Sequence, residues 1–199
     1  ASATITVDAI TADDVINAAE TGDTITVTGT VGGDATAGDA VSFSVNGTPY
    51  SGVVLPDNTF AIDVAGSDLA ADTAFDATVT GTDTVGNPFS ATTTSTHTVD
   101  LDAAATIAVD AITADDVVSA SEAGSTITVT GTVGGDAAPG DMVSFTINGT
   151  DYSGAVLPDN TFAIDVAGSD LAADTGFEAT VSGADELGNL FTATTVSTH

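Results

Sequence analysis

Carboxylates are the residues of this sequence that are best placed to do chemistry. The chain has 29 Asp and Glu residues and neither Lys nor Arg, so its formal net charge at pH 7 is −29. No ion pair with a basic side chain can offset this repulsion, which acts against a compact state. Ca²⁺ is a hard cation that takes six to eight oxygen ligands from carboxylates, carbonyls and Asn side chains. The composition therefore predicts a protein that depends on calcium.

The acidic residues concentrate in loops between predicted strands. If strands A to G alternate in direction, the A–B loop (residues 11–23) and the E–F segment (66–73) share one end of a domain. We expect carboxylates from that end of the first domain to face those of the second domain, with calcium between them. The first group is Asp8, Asp13, Asp14, Glu20, Asp68 and Asp72; the second is Asp136, Asp141, Asp185 and Glu186; Asp100 and Asp102 lie between the groups.

A solvated acidic surface is the alternative to metal binding. We favour it for dispersed acids such as Asp34 and Asp57, and we expect Asp76, Asp151 and Glu178 to face solvent from strands. The sequence contains no Asp-x-Asp-x-Asp-Gly calcium loop of the EF-hand type. For the clustered acids we favour metal binding, because close carboxylates usually share a counter-ion or a proton.

The chain is an internal repeat with a period of 102 residues. Thr24–Asp34 returns as Thr126–Asp136, and Leu55–Val64 returns as Leu157–Val166. This period exceeds the 20–50 residues of a solenoid unit and matches the size of an independent domain. We predict two domains, residues 1–99 and 103–199, joined by an acidic linker at 100–102 that has none of the Gly, Pro or Ser of a flexible connection.

Each repeat is predicted to be a β-sandwich. Apolar residues alternate with Thr or Ser over short runs, as in Val41/Phe43/Val45 and Phe60/Ile62/Val64. Turn residues separate these runs, for example Asn46-Gly47. Roughly seven strands in about 100 residues favour an all-β fold of two tandem immunoglobulin-like sandwiches. Helical turns are expected within residues 11–20 and 67–72.

Other functions are disfavoured by composition. Without basic residues the chain has no means to neutralise nucleic-acid phosphates or anionic lipid. No apolar run is long enough for a membrane helix, and no Cys is present for a disulfide. Nothing resembles a nucleophile motif or a small-molecule substrate site, so we expect no enzyme.

Two further sets of residues are expected to have no functional role. His97 and His199 are expected to be exposed at strand ends. Rows such as Thr24-x-Thr26-x-Thr28-x-Thr30 are expected to be ordinary outward positions rather than an ice-binding array.

Three segments together resemble the bacterial immunoglobulin-like extender repeats of giant RTX adhesins. They are Ile10-Thr-Ala-Asp-Asp-Val-Ile-Asn-Ala-Ala-Glu20, Thr26-Val-Thr-Gly-Thr-Val-Gly-Gly-Asp34 and Val64-Ala-Gly-Ser-Asp-Leu-Ala-Ala-Asp72. The resemblance implies calcium near domain junctions. The matching ligand positions are Asp13, Asp14, Glu20, their counterparts Asp115, Asp116 and Glu122, and the linker pair Asp100 and Asp102; Asp110, the counterpart of Asp8, joins the expected set. Ala103–Ala105 stands where the family linker usually carries a Pro.

The resemblance implies a mechanical function. The expected role is a spacer, stiffened by calcium, that projects a ligand-binding region from a bacterial cell surface after type I secretion. The expected partners are neighbouring repeats of the same chain, with the protein itself monomeric. The alternative is a calcium-dependent module that binds a glycan or a protein. The near-identity of the two copies favours the spacer role over a ligand-binding role, because their outward loops have not diverged.

Overall fold

The structure, a computed structural model, describes all 199 residues. The chain divides into two compact units, Ala1–Leu101 (unit 1) and Asp102–His199 (unit 2). The division falls inside the segment 100–102 that the sequence suggests as a linker. Both units have the same order of seven long strands and one short helix, so unit 1 serves to describe the fold.

The main elements of unit 1 are seven strands that correspond to the predicted strands A to G, a short helix, and two brief additional strands. The seven strands are β1 (Ala3–Val7), β3 (Thr24–Gly33), β4 (Ala40–Val45), β5 (Thr48–Val53), β6 (Thr59–Ala65), β7 (Ala74–Thr82) and β8 (Pro88–Thr96). Helix α1 spans Gly66–Ala71, and the two-residue strands are β2 (Val15–Ile16) and β9 (Thr98–Val99).

Unit 2 repeats this order without the two short strands. Its elements are β10 (Ala105–Val109), β11 (Thr126–Gly135), β12 (Met142–Ile147), β13 (Thr150–Ala155), β14 (Thr161–Ala167), α2 (Gly168–Ala173), β15 (Gly176–Ala184) and β16 (Leu190–Thr198). A single 3₁₀ turn precedes the second long strand of each unit, at Glu20–Gly22 and Glu122–Gly124.

Two antiparallel sheets form each unit. In unit 1 the strand order is β1-β3-β6 in one sheet and β5-β4-β7-β8 in the other, and unit 2 has the orders β10-β11-β14 and β13-β12-β15-β16. The hairpin between β4 and β5 turns at Asn46 and Gly47, which have φ angles of 50° and 76°. Positive φ at both positions is what a two-residue hairpin turn of type I′ requires.

Alternating side chains of the strands fill the space between the sheets. Val41, Phe43 and Val45 on β4 are buried, as are Phe60, Ile62 and Val64 on β6. Thr and Ser occupy most of the outward positions, where a β-branched side chain suits the pleated surface. The all-β prediction and the period-two pattern are therefore confirmed. None of the helices has the length and apolar character that crossing a membrane demands.

One of the two expected helical turns differs from its prediction. Residues 67–72 lie in and directly after α1, as expected. Residues 11–20 form instead an irregular loop that contains β2 and enters the 3₁₀ turn only at Glu20. The β-branched pair Val15 and Ile16 favours an extended conformation here because a second strand, β9, is available to pair with it.

Candidate functional site

The A–B loop holds Asp13 and Asp14 through local hydrogen bonds. Asp13 Oδ1 accepts from the Thr11 hydroxyl at 2.9 Å and from Val15 N at 3.2 Å. Asp14 has a φ of 61°, and its Oδ1 accepts from Ile10 N at 2.9 Å. The second carboxylate oxygen of each residue receives no hydrogen bond. The loop thus presents two oriented carboxylates, each with one oxygen open to a cation.

Glu20 closes the same loop as part of a capping box. Its Oε2 accepts from Asn17 N at 3.0 Å, and Asn17 Oδ1 accepts from Glu20 N at 3.0 Å. In unit 2 the equivalent Glu122 accepts from Ser119 N at 2.8 Å and from the Ser119 hydroxyl at 2.6 Å. This reciprocal arrangement stabilises the start of a helical turn. Sequence reasoning missed it, although Asn17-x-x-Glu20 and Ser119-x-x-Glu122 carry the signal.

A parallel strand pair brings Asp100 to the A–B loop. In β2 and β9 Val15 pairs with Thr98 and Ile16 with Val99. Thr98 N donates to Asp14 O at 3.1 Å, and Asp100 N donates to Ile16 O at 3.0 Å. Residues more than 80 positions apart in the sequence are thereby neighbours within unit 1. Of the predicted ligands, Asp13, Asp14 and Asp100 are brought to the same region by this pairing.

Asp68 and Asp72 bind the β4–β5 turn rather than the A–B loop. Asp68 accepts from the Tyr50 hydroxyl at 2.6 Å and from Asn46 Nδ2 at 3.2 Å. Asp72 Oδ2 accepts from Asn46 N at 2.9 Å. The same contacts recur in unit 2 between Asp170, Asp174, Asn148 and Tyr152. These two carboxylates therefore connect α1 to the β4–β5 hairpin through hydrogen bonds.

Asp8 directly follows strand β1, and Asp185 lies in the loop between β15 and β16 of unit 2. Asp8 Oδ2 accepts from the Thr28 hydroxyl at 2.8 Å, and its counterpart Asp110 accepts from the Thr130 hydroxyl at 2.8 Å. Asp185 accepts from Asn189 N at 2.8 Å and from Asn189 Nδ2 at 2.9 Å. Asp8 and Asp110 are therefore oriented by a threonine of the next strand, and Asp185 by an asparagine of its own loop.

The predicted ligand set is divided among separate neighbourhoods of each unit. No three side chains of Asp, Glu or His lie close enough together to form a ready metal site. In unit 2, Asp115 and Asp116 repeat the contacts of Asp13 and Asp14, with bonds from Thr113 and from Ile112 N. Asp102 is the first residue of unit 2. The assignment of calcium ligands stays a prediction.

Hydrogen bonds lower the pKa of several of these carboxyl groups. The Thr11 hydroxyl is the main cause of a lowered pKa at Asp13, and the Tyr50 hydroxyl is the main cause at Asp68. Ser119 lowers the pKa of Glu122, against a smaller repulsive effect of Asp115 that raises it. Donors that favour the charged form keep these groups ionised. The carboxylates are thereby available as anionic ligands.

The prediction for His97 is wrong. Its side chain is only 6% exposed, and Nε2 lies 2.8 Å from Leu69 O. His199 is partly buried, with Nε2 2.9 Å from Leu171 O. In both rings Nδ1 is buried without a hydrogen-bond partner. The imidazole at the end of the last long strand secures the helix instead of facing solvent, because the carbonyl at the end of that short helix needs a donor.

Each unit packs a three-stranded antiparallel sheet face to face with a four-stranded one. This arrangement, present twice in the chain, defines tandem immunoglobulin-like β-sandwich domains. No family model matches the sequence, and no curated protein matches it. Solved structures do match.

The chain is 54% identical to a structure described as giving insight into host cell surface retention of a 1.5-MDa bacterial ice-binding adhesin, with a TM-score of 0.92. The match covers 99% of this chain and 63% of that one. A second structure, of a Ca²⁺-stabilized adhesin that helps an Antarctic bacterium reach out and bind ice, is 51% identical with a TM-score of 0.86, over 98% of this chain and 48% of that one.

A third solved structure is a bacterial immunoglobulin-like domain from the M. primoryensis ice-binding adhesin. It is 55% identical over 49% of this chain and 96% of its own, with a TM-score of 0.48. The chain belongs to the bacterial immunoglobulin-like extender domains of giant RTX adhesins, as its sequence motifs imply. It spans less than two thirds of each of the first two solved chains.

Proposed function

We propose that this chain is a pair of spacer repeats of a large bacterial surface adhesin, and that Ca²⁺ stabilises each repeat. The spacer would lie outside the cell and hold a ligand-binding region away from its surface. Neighbouring repeats of the same chain would be its partners, and the chain would be a monomer without enzymatic activity. The observation that carries the proposal is the 54% identity over 99% of the chain to an adhesin of this kind.

The charge of the chain supports the calcium part of the proposal. With 29 carboxylates and no basic side chain, every close pair of acids is repulsive unless an external cation intervenes. The adhesin of the Antarctic bacterium, 51% identical to this chain, is Ca²⁺-stabilized. A divalent cation that binds the folded state alone raises its stability by RT ln(1 + [L]/Kd) for each site.

The A–B loop is the strongest candidate for a calcium site in each unit. Asp13, Asp14 and Glu20 each use one carboxylate oxygen for a hydrogen bond that orients the side chain, which leaves the other oxygen open. Asp115, Asp116 and Glu122 do the same in unit 2. Preorganised carboxylates lower the entropic cost of gathering ligands around an ion. Asp100 and Asp102 remain proposed further ligands.

Calorimetric titration and thermal unfolding of the full chain test this function. We expect chelator-treated protein to release or absorb heat on addition of CaCl₂, and to gain about 2.7 kcal/mol of stability per site when free calcium is a hundred times Kd. The double variant Asp13→Asn, Asp14→Asn should lose the calcium-dependent stabilisation of unit 1. No heat and an unchanged unfolding temperature in the wild type would overturn the calcium proposal.

A matched control separates specific binding from a general effect of charge. The variant Asp34→Asn, Asp57→Asn removes the same charge from unit 1 at two dispersed, exposed acids outside the A–B loop; Asp34 accepts from Ser2 N and Asp57 from the Thr59 hydroxyl. We expect it to keep the full response to calcium. An equal loss of response in both variants would mean that calcium acts by diffuse screening. Reproducible binding to a glycan array in calcium would contradict the spacer role.

A further inference from the structure

We propose that Asn46 and Asn148 are sites of spontaneous deamidation, and that their conversion to carboxylates weakens the contact between the hairpin and the short helix of each unit. The side-chain nitrogen of each Asn would leave as ammonia, and no enzyme is required. This modification site goes beyond the proposed function, because neither calcium nor the A–B loop takes part in it.

Gly follows Asn at only these two positions of the chain. Asn46 precedes Gly47 and Asn148 precedes Gly149, whereas the other Asn residues precede Ala, Thr, Pro or Leu. In deamidation the backbone nitrogen of the following residue attacks the side-chain carbonyl carbon of Asn, and a following Gly has no Cβ to hinder this approach. The two hairpin turns are therefore the positions where the reaction meets least steric resistance.

The turn leaves the attacking nitrogen free to react. Asn46 and Gly47 are both exposed at the tip of the β4–β5 hairpin. Gly47 N donates to no backbone carbonyl, and a Cβ placed on Gly47 would meet nothing within 4 Å. Gly149 has the same open surroundings in unit 2. The loss of the N–H proton to solvent therefore disrupts no backbone hydrogen bond of the turn.

The reaction consumes only water. Gly47 N gives its proton to hydroxide and forms a bond to Asn46 Cγ, while the bond between Cγ and Nδ2 breaks and ammonia leaves. Water then opens the cyclic imide at either carbonyl, which yields Asp or isoaspartate without any change of oxidation state. An amide that donates hydrogen bonds is thereby replaced by an anion that only accepts them.

The amide that would be lost connects the hairpin to α1. Asn46 Nδ2 donates to Asp68 Oδ1 at 3.2 Å, and Asn46 N donates to Asp72 Oδ2 at 2.9 Å. Asn148 forms the equivalent pair of bonds in unit 2. A carboxylate in place of the amide would lie beside Asp68 with no proton to share, and like charges at this distance repel each other. Deamidation therefore replaces an attraction by a repulsion.

Asn58 and Asn160 are matched internal controls for the chemistry. Their φ angles of 64° and 60° resemble the 50° and 49° of Asn46 and Asn148, and all four residues are exposed. Thr follows each of the two controls. The controls thus share backbone conformation and exposure with the proposed sites and differ in the residue that supplies the attacking nitrogen.

Mass spectrometry of the folded full chain tests the reaction. The protein is incubated in EDTA at pH 7 and at pH 9, and is then cut with pepsin in acid, where deamidation is slow. We expect the mass shift from amide to acid at Asn46 and Asn148 well before any shift at Asn58 and Asn160. The conversion should be faster at pH 9, because Gly47 N and Gly149 N must lose a proton.

Two results of this experiment would overturn the proposal. Equal conversion at all four Asn residues would mean that the following Gly does not determine the site. Conversion at Asn46 and Asn148 only when the chain is unfolded in urea would mean that the folded turn is protected.

Urea unfolding in EDTA at pH 7 tests the structural consequence. The variant Asn46→Asp, Asn148→Asp reproduces the Asp product, and the control Asn58→Asp, Asn160→Asp adds the same charge at the matched turns. We expect the first variant to unfold at a lower urea concentration than both the control and the wild type. Equal midpoints for the two variants would contradict a specific repulsion of Asp68 and Asp170. Because calcium is absent, neither measurement depends on the proposed calcium site.

Discussion

Tyr50 and Asp68 illustrate how single residues of this chain accommodate negative charge. The Tyr50 hydroxyl donates to Asp68 at 2.6 Å and also accepts from Ala65 N at 3.3 Å. The bond lowers the pKa of Asp68 below its ordinary value of 3.8 and raises the pKa of Tyr50 above 10.0. Hydroxyl and amide donors here replace the basic side chains that the sequence lacks.

We predict that Tyr50→Phe destabilises unit 1 in a manner that depends on pH. Because Asp68 has a lowered folded-state pKa, the stability from this bond is present above the unfolded pKa and is lost as pH falls through the folded pKa. Because Tyr50 has a raised folded-state pKa, the stability is present below its unfolded pKa and is lost as pH rises through the folded value.

Urea unfolding of the wild type and Tyr50→Phe between pH 2 and 9 measures this difference. The difference in free energy of unfolding should be constant near neutral pH. It should decrease in acid, where only the contribution of the hydrogen bond from Ala65 N to the Tyr50 hydroxyl remains. Tyr152→Phe, which removes the same contact to Asp170, should give the same profile in unit 2. A difference that stays constant down to pH 2 would show that the charge on Asp68 is irrelevant.

The hydrogen-bond partners of most individual side chains could not be predicted from the sequence. Acid-rich loops were recognisable, but the donors that orient each carboxylate depend on neighbours such as Thr28 for Asp8, 20 positions away. His97 was mispredicted because its partner, Leu69 O, lies 28 positions away in the sequence. Local motifs such as Asp57-x-Thr59 could have been recognised, since that side chain bonds only two residues on.

Among the elements, α1 depends on close approach to the 3₁₀ turn at Glu20–Gly22. Gly66 is buried at the start of α1, its N donates to Asp23 O at 2.9 Å, and a Cβ at this position would collide with Glu20 O. The helix therefore holds the end of the A–B loop against the core. Gly168 has the same relation to Glu122 O in unit 2.

We predict that Gly66→Ala destabilises unit 1 by about 1–3 kcal/mol, the usual cost of forcing an extra carbon into a packed site. It should also weaken calcium binding in unit 1, because Glu20 would have to move. Gly22→Ala is the matched control: a Cβ there meets nothing within 4 Å, so a change within about 0.5 kcal/mol is expected. Equal effects of the two substitutions on denaturant unfolding would refute the close-packing argument.

The long elements were predictable and the short ones were not. Strands such as β4 and β6 follow from strict alternation of apolar and polar residues. The pair β2–β9 consists of two residues on each side, and no periodicity can be detected over two residues. Its existence depends on tertiary proximity between residues 15 and 98, which no local pattern contains.

For the whole molecule, the excess of negative charge should make stability depend strongly on ionic strength. We predict that NaCl raises the unfolding temperature of chelator-treated protein, because screening reduces the repulsion among 29 carboxylates. Millimolar CaCl₂ should raise it further at constant ionic strength. Differential scanning calorimetry at matched ionic strength separates the two effects; identical curves for NaCl and CaCl₂ would leave no role for specific sites.

The imidazole rings supply a separate spectroscopic probe for each repeat. A carbonyl oxygen only accepts hydrogen bonds, so the contacts with Leu69 O and Leu171 O place the ring proton of both His97 and His199 on Nε2. The chain has no other histidine. Two ring resonances in a ¹⁵N–¹H NMR spectrum of uniformly ¹⁵N-enriched protein would therefore follow the loosening of α1 and of α2 individually, without an attached probe or an added mutation.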